Sequence, residues 1–140
     1  MIGMNQVKLF TDGGSRGNPG PAAIGGVIYN LNDEKLKEFS EYIGESTNNI
    51  AEYSALIKGL RLCLEMGFKN VSCNLDSELV VKQLNKVYKV KDEKMKILYD
   101  VVTETTAEFE SVSFTHVLRA KNKLADTLVN KALDNQKLKL

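Results

Sequence analysis

The sequence predicts an α/β domain: a five-stranded mixed sheet, made of a three-strand antiparallel meander plus two parallel strands, flanked by helices in the order βββαβααβα. Three observations carry this. The first third alternates apolar and polar residues between short turn signals, as strands do. From Thr47 onward the apolar spacing becomes helical, broken by two short strand-like runs. A mixed sheet with helices on its faces is the natural way to bury such elements. At 140 residues the chain fits one domain, 1–140, long enough to bury a core.

The elements follow in order. Gln6–Asp12 alternates Val7, Leu9 and Thr11 against Lys8, Phe10 and Asp12. The segment GGSRGNPGP then reads as a dense turn. Ala22–Tyr29 is a small, apolar strand whose Gly25-Gly26 pair marks a bulge or a close backbone approach. After a turn over Asn30–Glu34, Lys35–Ile43 forms a third strand, polar enough to lie at an edge. Thr47–Met66 is a strong helix, capped by Thr47 or Asn48 and stopped by Gly67. Lys69–Asp76 is a strand with Val71, Cys73 and Leu75 on one face, and Ser77–Asn85 a short helix. Lys91–Ala107 is a longer helix facing inward through Met95, Leu98, Val102 and Thr105. Ser111–Val117 is the fifth strand. Lys123–Asp134 is the last helix, with Leu124, Leu128 and Ala132 on one stripe and Val129 and Leu133 beside it.

Composition excludes several classes. Apolar and charged fractions of 43% and 26% are those of a soluble globular protein. No apolar run reaches the roughly 20 residues that span a bilayer. The start, MIGMNQVKLF, lacks a signal peptide's basic and apolar regions, so we expect a cytoplasmic protein without membrane contact. Cys63 and Cys73 form neither a disulfide framework nor a metal pattern, and read as buried side chains. A net charge of +1 does not announce a nucleic-acid binder. Lys82, Lys86, Lys89, Lys91, Lys94 and Lys96 form one basic cluster, and Arg119, Lys121 and Lys123 a second. Either alone is a solvated face unless it flanks a site that handles phosphates.

Four acids draw attention by position. Asp12 ends the first strand and Asp76 the fourth. If these strands are parallel neighbours, both side chains emerge at the carboxyl end of the sheet, where sites in α/β sheets collect. Glu52 shares a helix face with Leu56, Gly59 or Leu60, and Cys63, so it points inward from the first turn. Gly59 costs about 1 kcal/mol in mid-helix relative to alanine, which implies close packing there. Asp126 lies in the first turn of the last helix. Each acid alone has a plainer reading, as a strand end or as a partner of the helix dipole. Four converging acids differ, because buried like charges raise one another's pKa unless a cation neutralises them. Oxygen-only ligands select Mg²⁺ or Mn²⁺. Two such ions roughly 4 Å apart make a phosphoryl-transfer site.

Four blocks resemble the signatures of type 1 ribonuclease H: FTDGGSRGNPGP (Phe10–Pro21), TNNIAEY (Thr47–Tyr53), LDSELV (Leu75–Val80) and HVLRAKNKLAD (His116–Asp126). They stand in the family's order and near its usual spacing, and the resemblance covers essentially the whole chain. The resemblance implies the ribonuclease H-like fold and metal ligation by Asp12, Glu52, Asp76 and Asp126, with Asp12 bridging two ions. It implies endonucleolytic cleavage of the RNA strand of an RNA–DNA hybrid, leaving 5′-phosphate and 3′-hydroxyl ends. It places Gly13, Gly14 and Ser15 beside the RNA, Asn18, Asn48 and Asn49 in the minor groove, and Thr47 at a DNA phosphate. Such contacts suit A-form-like duplexes, whose wide minor groove displays 2′-hydroxyls. A monomer is expected, and double-stranded RNA is a second substrate to weigh.

The chain also departs from the family. Many relatives carry a longer loop with a histidine before the last acid. Here nine residues separate His116 from Asp126, as in a compact prokaryotic branch. His116 falls at the end of the fifth strand, where a packed or hydrogen-bonded role competes with a catalytic one. Arg119 either contacts phosphate or braces its loop. The chain lacks the tryptophan-bearing basic protrusion of some relatives, and the Lys82–Lys96 cluster lies in the corresponding region. Two other classes stay open: a non-catalytic hybrid-binding module, and a same-fold nuclease with another substrate, double-stranded RNA included.

Overall fold

The structure, a computed structural model, describes residues 5–138, so the first four residues of the leader reading lie outside it. Strands β1 (Gln6–Ser15), β2 (Gly20–Tyr29) and β3 (Lys35–Ser46) form the meander, followed by helix α1 (Asn48–Glu65). Then come β4 (Asn70–Leu75), α2 (Glu78–Leu84), α3 (Glu93–Thr106), β5 (Ser111–His116), a 3₁₀ turn at Arg119–Lys121, and α4 (Lys123–Leu138). The sheet order is β3-β2-β1-β4-β5. The meander pairs antiparallel, while β1–β4 and β4–β5 are parallel. The predicted fold class and element order are those observed, and β3 lies at an edge. Among the described residues no helix is long and apolar enough to cross a membrane.

Helices α1 and α3 cover one face of the sheet. Val7, Leu9, Val71, Cys73 and Leu75 meet Tyr53, Leu56, Leu60, Met95 and Val102 there, all buried. Fully burying such side chains stabilises by roughly 1.5–3 kcal/mol each. Helix α4 covers the other face, where Val129, Ala132 and Leu133 pack on Ala23. Cys63 and Cys73 are buried free thiols. Thr47 caps α1 by accepting the Ile50 N–H, and Gly67 (φ +86°) turns the chain after it. A side chain at Gly59 would stand 2.7 Å from Leu9, which is the close approach its mid-helix cost implied.

Three expectations need correction. The segment after Asp12 is strand, not turn: β1 continues through Gly13, Gly14 and Ser15, paired with Ile24, Ala23 and Ala22, and the turn begins at Arg16. Glu52 stands in the second turn of α1, because the helix starts at Asn48 and holds no acid in its first turn. A helix-dipole role for Glu52 therefore fails. Leu124 is not buried on the inner stripe; it is 37% exposed and borders a surface cleft with Phe10, Val27 and Tyr29. Asp126 does lie in the first turn of α4.

Candidate active site

The site forms where β1 outruns β4. Their parallel register ends at Thr11↔Leu75, so the next residues, Asp12 and Asp76, stand side by side. Asp12 itself is opposite Gly25 on β2. A Cβ at Gly25 would lie 2.6 Å from the Ala125 carbonyl oxygen, so glycine there brings the start of α4, and Asp126 with it, down onto the sheet. Gly13 does the same on the opposite face: its Cβ would lie 2.2 Å from the Ala51 backbone. Without it, α1 seats close enough for Glu52 to reach the strand. Both acids then share one donor, the Gly13 N–H, at 3.0 Å to Asp12 Oδ1 and 3.0 Å to Glu52 Oε1.

Carboxylate oxygens of Asp12, Glu52 and Asp76 all lie within 4.8 Å of one another. Asp126 joins them on the wall of the same cleft, with its side chain 32% exposed, but stands outside that tight group. The cleft encloses about 530 Å³. Burial pushes the Glu52 carboxyl well above the usual range, and the hydrogen bond and charge of Asp12 add to it. Burial also lifts Asp12, to about 6, against a lowering contribution from its hydrogen bond with Glu52; the charges of Asp76 and Asp126 raise it further. Glu52 Oε2 is buried without a partner. An unsatisfied carboxylate oxygen among converging acids, all of them hard oxygen donors, fits a divalent cation such as Mg²⁺.

The other predicted residues divide. Gly13, Gly14, Ser15, Asn48, Asn49 and Arg119 line the cleft with the acids. Asn48 Oδ1 accepts from the Ser15 N–H at 2.8 Å and the Ser15 hydroxyl at 3.2 Å, which turns the Asn48 amide N–H₂ away from Ser15. Asn18 and Thr47 lie outside the lining; Asn18 accepts the Asn48 N–H at 3.1 Å, and Thr47 is occupied as the cap. His116 is an exposed residue at the end of β5, opposite Leu75, and does not line the cleft. Arg119 is 82% exposed, with one guanidinium nitrogen 3.6 Å from Asp126. A single contact of that length is a weak brace.

Asn122 was not foreseen as part of the site. It is 2% exposed, and its amide donates to the Thr11 carbonyl at 2.9 Å and to Asp76 Oδ2 at 3.2 Å. It ties the Asp76 carboxylate to β1. The signal was present in the V-x-R-x-x-N spacing before the last helix, but nothing in a sequence shows that an asparagine is buried. Arg16, Ser77 and Asn130 also line the cleft.

A sequence profile described as "Reverse transcriptase-like" matches residues 10–132. The "Ribonuclease HI" of Halobacterium salinarum is 41% identical over 130 residues, spanning 93% of this chain and 65% of that protein. A bifunctional protein of Mycobacterium tuberculosis is 39% identical over 130 residues, spanning 92% of this chain and 36% of its own. The chain thus spans two thirds or less of these curated relatives. The crystal structure of RNase H1 from Halobacterium salinarum superposes with a TM-score of 0.91 at 41% identity, covering 93% of this chain and 98% of the other. LC11-RNase H1 in complex with an RNA/DNA hybrid gives a TM-score of 0.89 at 44% identity, covering 93% and 98%.

Proposed function

Because the chain belongs to the ribonuclease H family, we propose that it is an endoribonuclease that cuts the RNA strand of RNA–DNA hybrids. The observation that carries this is the buried carboxylate cluster at the floor of a cleft walled by polar groups suited to a duplex minor groove. The hybrid bound by LC11-RNase H1 supports the choice of substrate.

In this reading Asp12, Glu52, Asp76 and Asp126 would hold two divalent ions, Mg²⁺ or Mn²⁺. When bound, the ions supply an activated water and neutralise charge on the scissile phosphate, which leaves 5′-phosphate and 3′-hydroxyl ends. The protein's share is placement. Asn122 fixes Asp76, and the Gly13 N–H fixes Asp12 and Glu52 in a shared orientation. The Asn48 amide, held by Ser15, presents its two N–H donors to acceptors in the minor groove. The Ser15 hydroxyl keeps acceptor capacity for a ribose 2′-hydroxyl, the group that separates RNA from DNA. Asn49, Gly13 and Gly14 line the same wall. Asn18 and Thr47 act one step back, by fixing the start of α1, with Thr47 near a DNA phosphate. Arg119 contacts phosphate, and His116 takes no part in the chemistry.

The DNA strand then runs toward α2 and α3. Lys82 lies 5.1 Å from the centre of the Tyr88 ring and Lys96 5.4 Å from that of Tyr99. Lysines set against the exposed Tyr88 ring and the half-buried Tyr99 ring suit a phosphate backbone and its sugars. The test compares labelled RNA–DNA hybrid, double-stranded RNA and double-stranded DNA, each with Mg²⁺ and with chelator. We expect Mg²⁺-dependent cutting of the RNA in the hybrid, weaker cutting of double-stranded RNA, and intact DNA. Binding of hybrid without turnover would instead identify a non-catalytic module.

A further inference from the structure

The cleft carries a second arginine whose position is more fixed than that of Arg119. Arg16 opens the turn between β1 and β2, and its backbone N–H donates to the Pro21 carbonyl at 2.8 Å. Its side chain crosses to α4. There one guanidinium nitrogen lies 2.7 Å from Asp134 Oδ1 and 3.4 Å from Asn130 Oδ1. Asn130 is itself oriented by donating to the Asp126 carbonyl at 3.1 Å. Asp126, Asn130 and Asp134 are spaced four residues apart, so they form one row along α4. Arg16 is thus clamped at the end of a row that starts at a carboxylate of the proposed metal site, and it lines the cleft with the acids.

We infer that Arg16 is a binding residue for a phosphate of the RNA strand, one to two helical turns along α4 from the carboxylates. This rests on the hybrid-cleavage reading. A guanidinium has five N–H donors in a rigid fork. Asp134 and Asn130 engage one nitrogen of Arg16, which leaves the other two to meet an anion. The side chain is 42% exposed, so an incoming backbone can reach it. The strand lying over the carboxylates is the strand that is cut, and Arg16 lines the same cleft, which assigns its phosphate to that strand. Holding the arginine in place before substrate arrives lowers the ordering cost of the contact. A positive group on this wall also offsets the acids, which repel phosphate wherever a cation does not neutralise them.

The plainer alternative is that Arg16 only tethers the turn to α4. Charge counting separates the two. The measurement is kcat and KM for Mg²⁺-dependent hybrid cleavage across a KCl series, for the wild type, Arg16→Ala, Arg16→Lys and Asp134→Asn. Removing a phosphate contact should raise KM about tenfold, the size of one hydrogen bond to a charged group, with kcat held within about twofold. It should also flatten the slope of log KM against log salt by about one. Arg16→Lys should keep the wild-type slope and restore part of the KM. Asp134→Asn, which loosens the clamp but keeps the arginine charge, should keep the slope as well. An unchanged slope in Arg16→Ala, or equal effects of Arg16→Ala and Asp134→Asn, would overturn the inference while the wild type still cuts. A wild type that does not cut hybrid overturns both this inference and the reading beneath it.

Discussion

Replacing Asp12 with asparagine should stabilise the metal-free protein. Burial, then the charges of Asp76 and Asp126, lift its carboxyl from an ordinary 3.8 to about 6, even though its hydrogen bond with Glu52 acts in the lowering direction. That difference corresponds to ~3 kcal/mol of penalty on keeping the group charged. The sign follows from proton counting. Between pH 4 and 6, roughly, the folded protein binds more protons than the unfolded chain, so stability falls as pH rises through this window. Above about 6 the penalty is fully present; below the unfolded value it is gone. Asparagine keeps the shape and never carries the charge, though it offers the Gly13 N–H a neutral amide oxygen in place of a charged one. We therefore expect a gain of about 1–3 kcal/mol at pH 7.5 in chelator, or about 3–10 °C in melting temperature for a chain of this size. Thermal melts of both proteins from pH 4 to 8 in chelator provide the assay. The gap should close as pH falls below 5, and Mg²⁺ at pH 7.5 should stabilise the wild type more than the variant. A variant that melts lower at pH 7.5, or a gap that does not change with pH, would show that burial puts no penalty on the Asp12 charge.

Four further outcomes follow. Gly13→Ala places a methyl group 2.2 Å from the Ala51 backbone, so α1 must shift; we expect a loss of at least about 1–3 kcal/mol and near-complete loss of cleavage, read by melting and turnover. Asn122→Ala strips the Thr11 carbonyl and Asp76 of a buried donor, which should cost about 1–3 kcal/mol and lower kcat far more than it changes KM. Thr47→Ala removes the α1 cap and should cost about 1 kcal/mol in a denaturant titration. Tyr53→Phe leaves buried Gln83 without its 2.7 Å partner and should destabilise by about 1–3 kcal/mol while leaving kcat near wild type, which separates core damage from damage to the site.

Much of the fold was legible because each local signal agreed with its neighbours. The cap at Thr47, the stop at Gly67, and the period-two pattern of Val7, Leu9 and Thr11 all lead to the observed elements. Glycine was misread where it serves packing. Gly13 and Gly14 look like turn residues, yet they continue β1; Gly13 and Gly25 are small because a helix presses on the sheet from each side. The same closeness brings Glu52 and Asp126 to Asp12, so the residues that hid the strand's length are those that assemble the site. The acids were visible as polar groups in apolar surroundings. Asn122 was not, because its importance lies in being buried between Thr11 and Asp76, residues far away in the chain. Leu124 misled for the opposite reason: its helical spacing is sound, but the groove beside it leaves it open to solvent. It lines a separate cleft with Phe10 and Tyr29 instead.

We propose that the carboxylates around Asp12 hold the metal ions with which the chain cuts RNA in a hybrid. The most direct test is the initial rate of RNA cleavage in a labelled hybrid at saturating Mg²⁺, wild type against Asp12→Asn, with both shown folded by their melts. Loss of a metal ligand should remove several kcal/mol of transition-state stabilisation, a fall of at least about a thousandfold. A variant that cuts within about tenfold of the wild type would show that Asp12 holds no ion the cleavage needs.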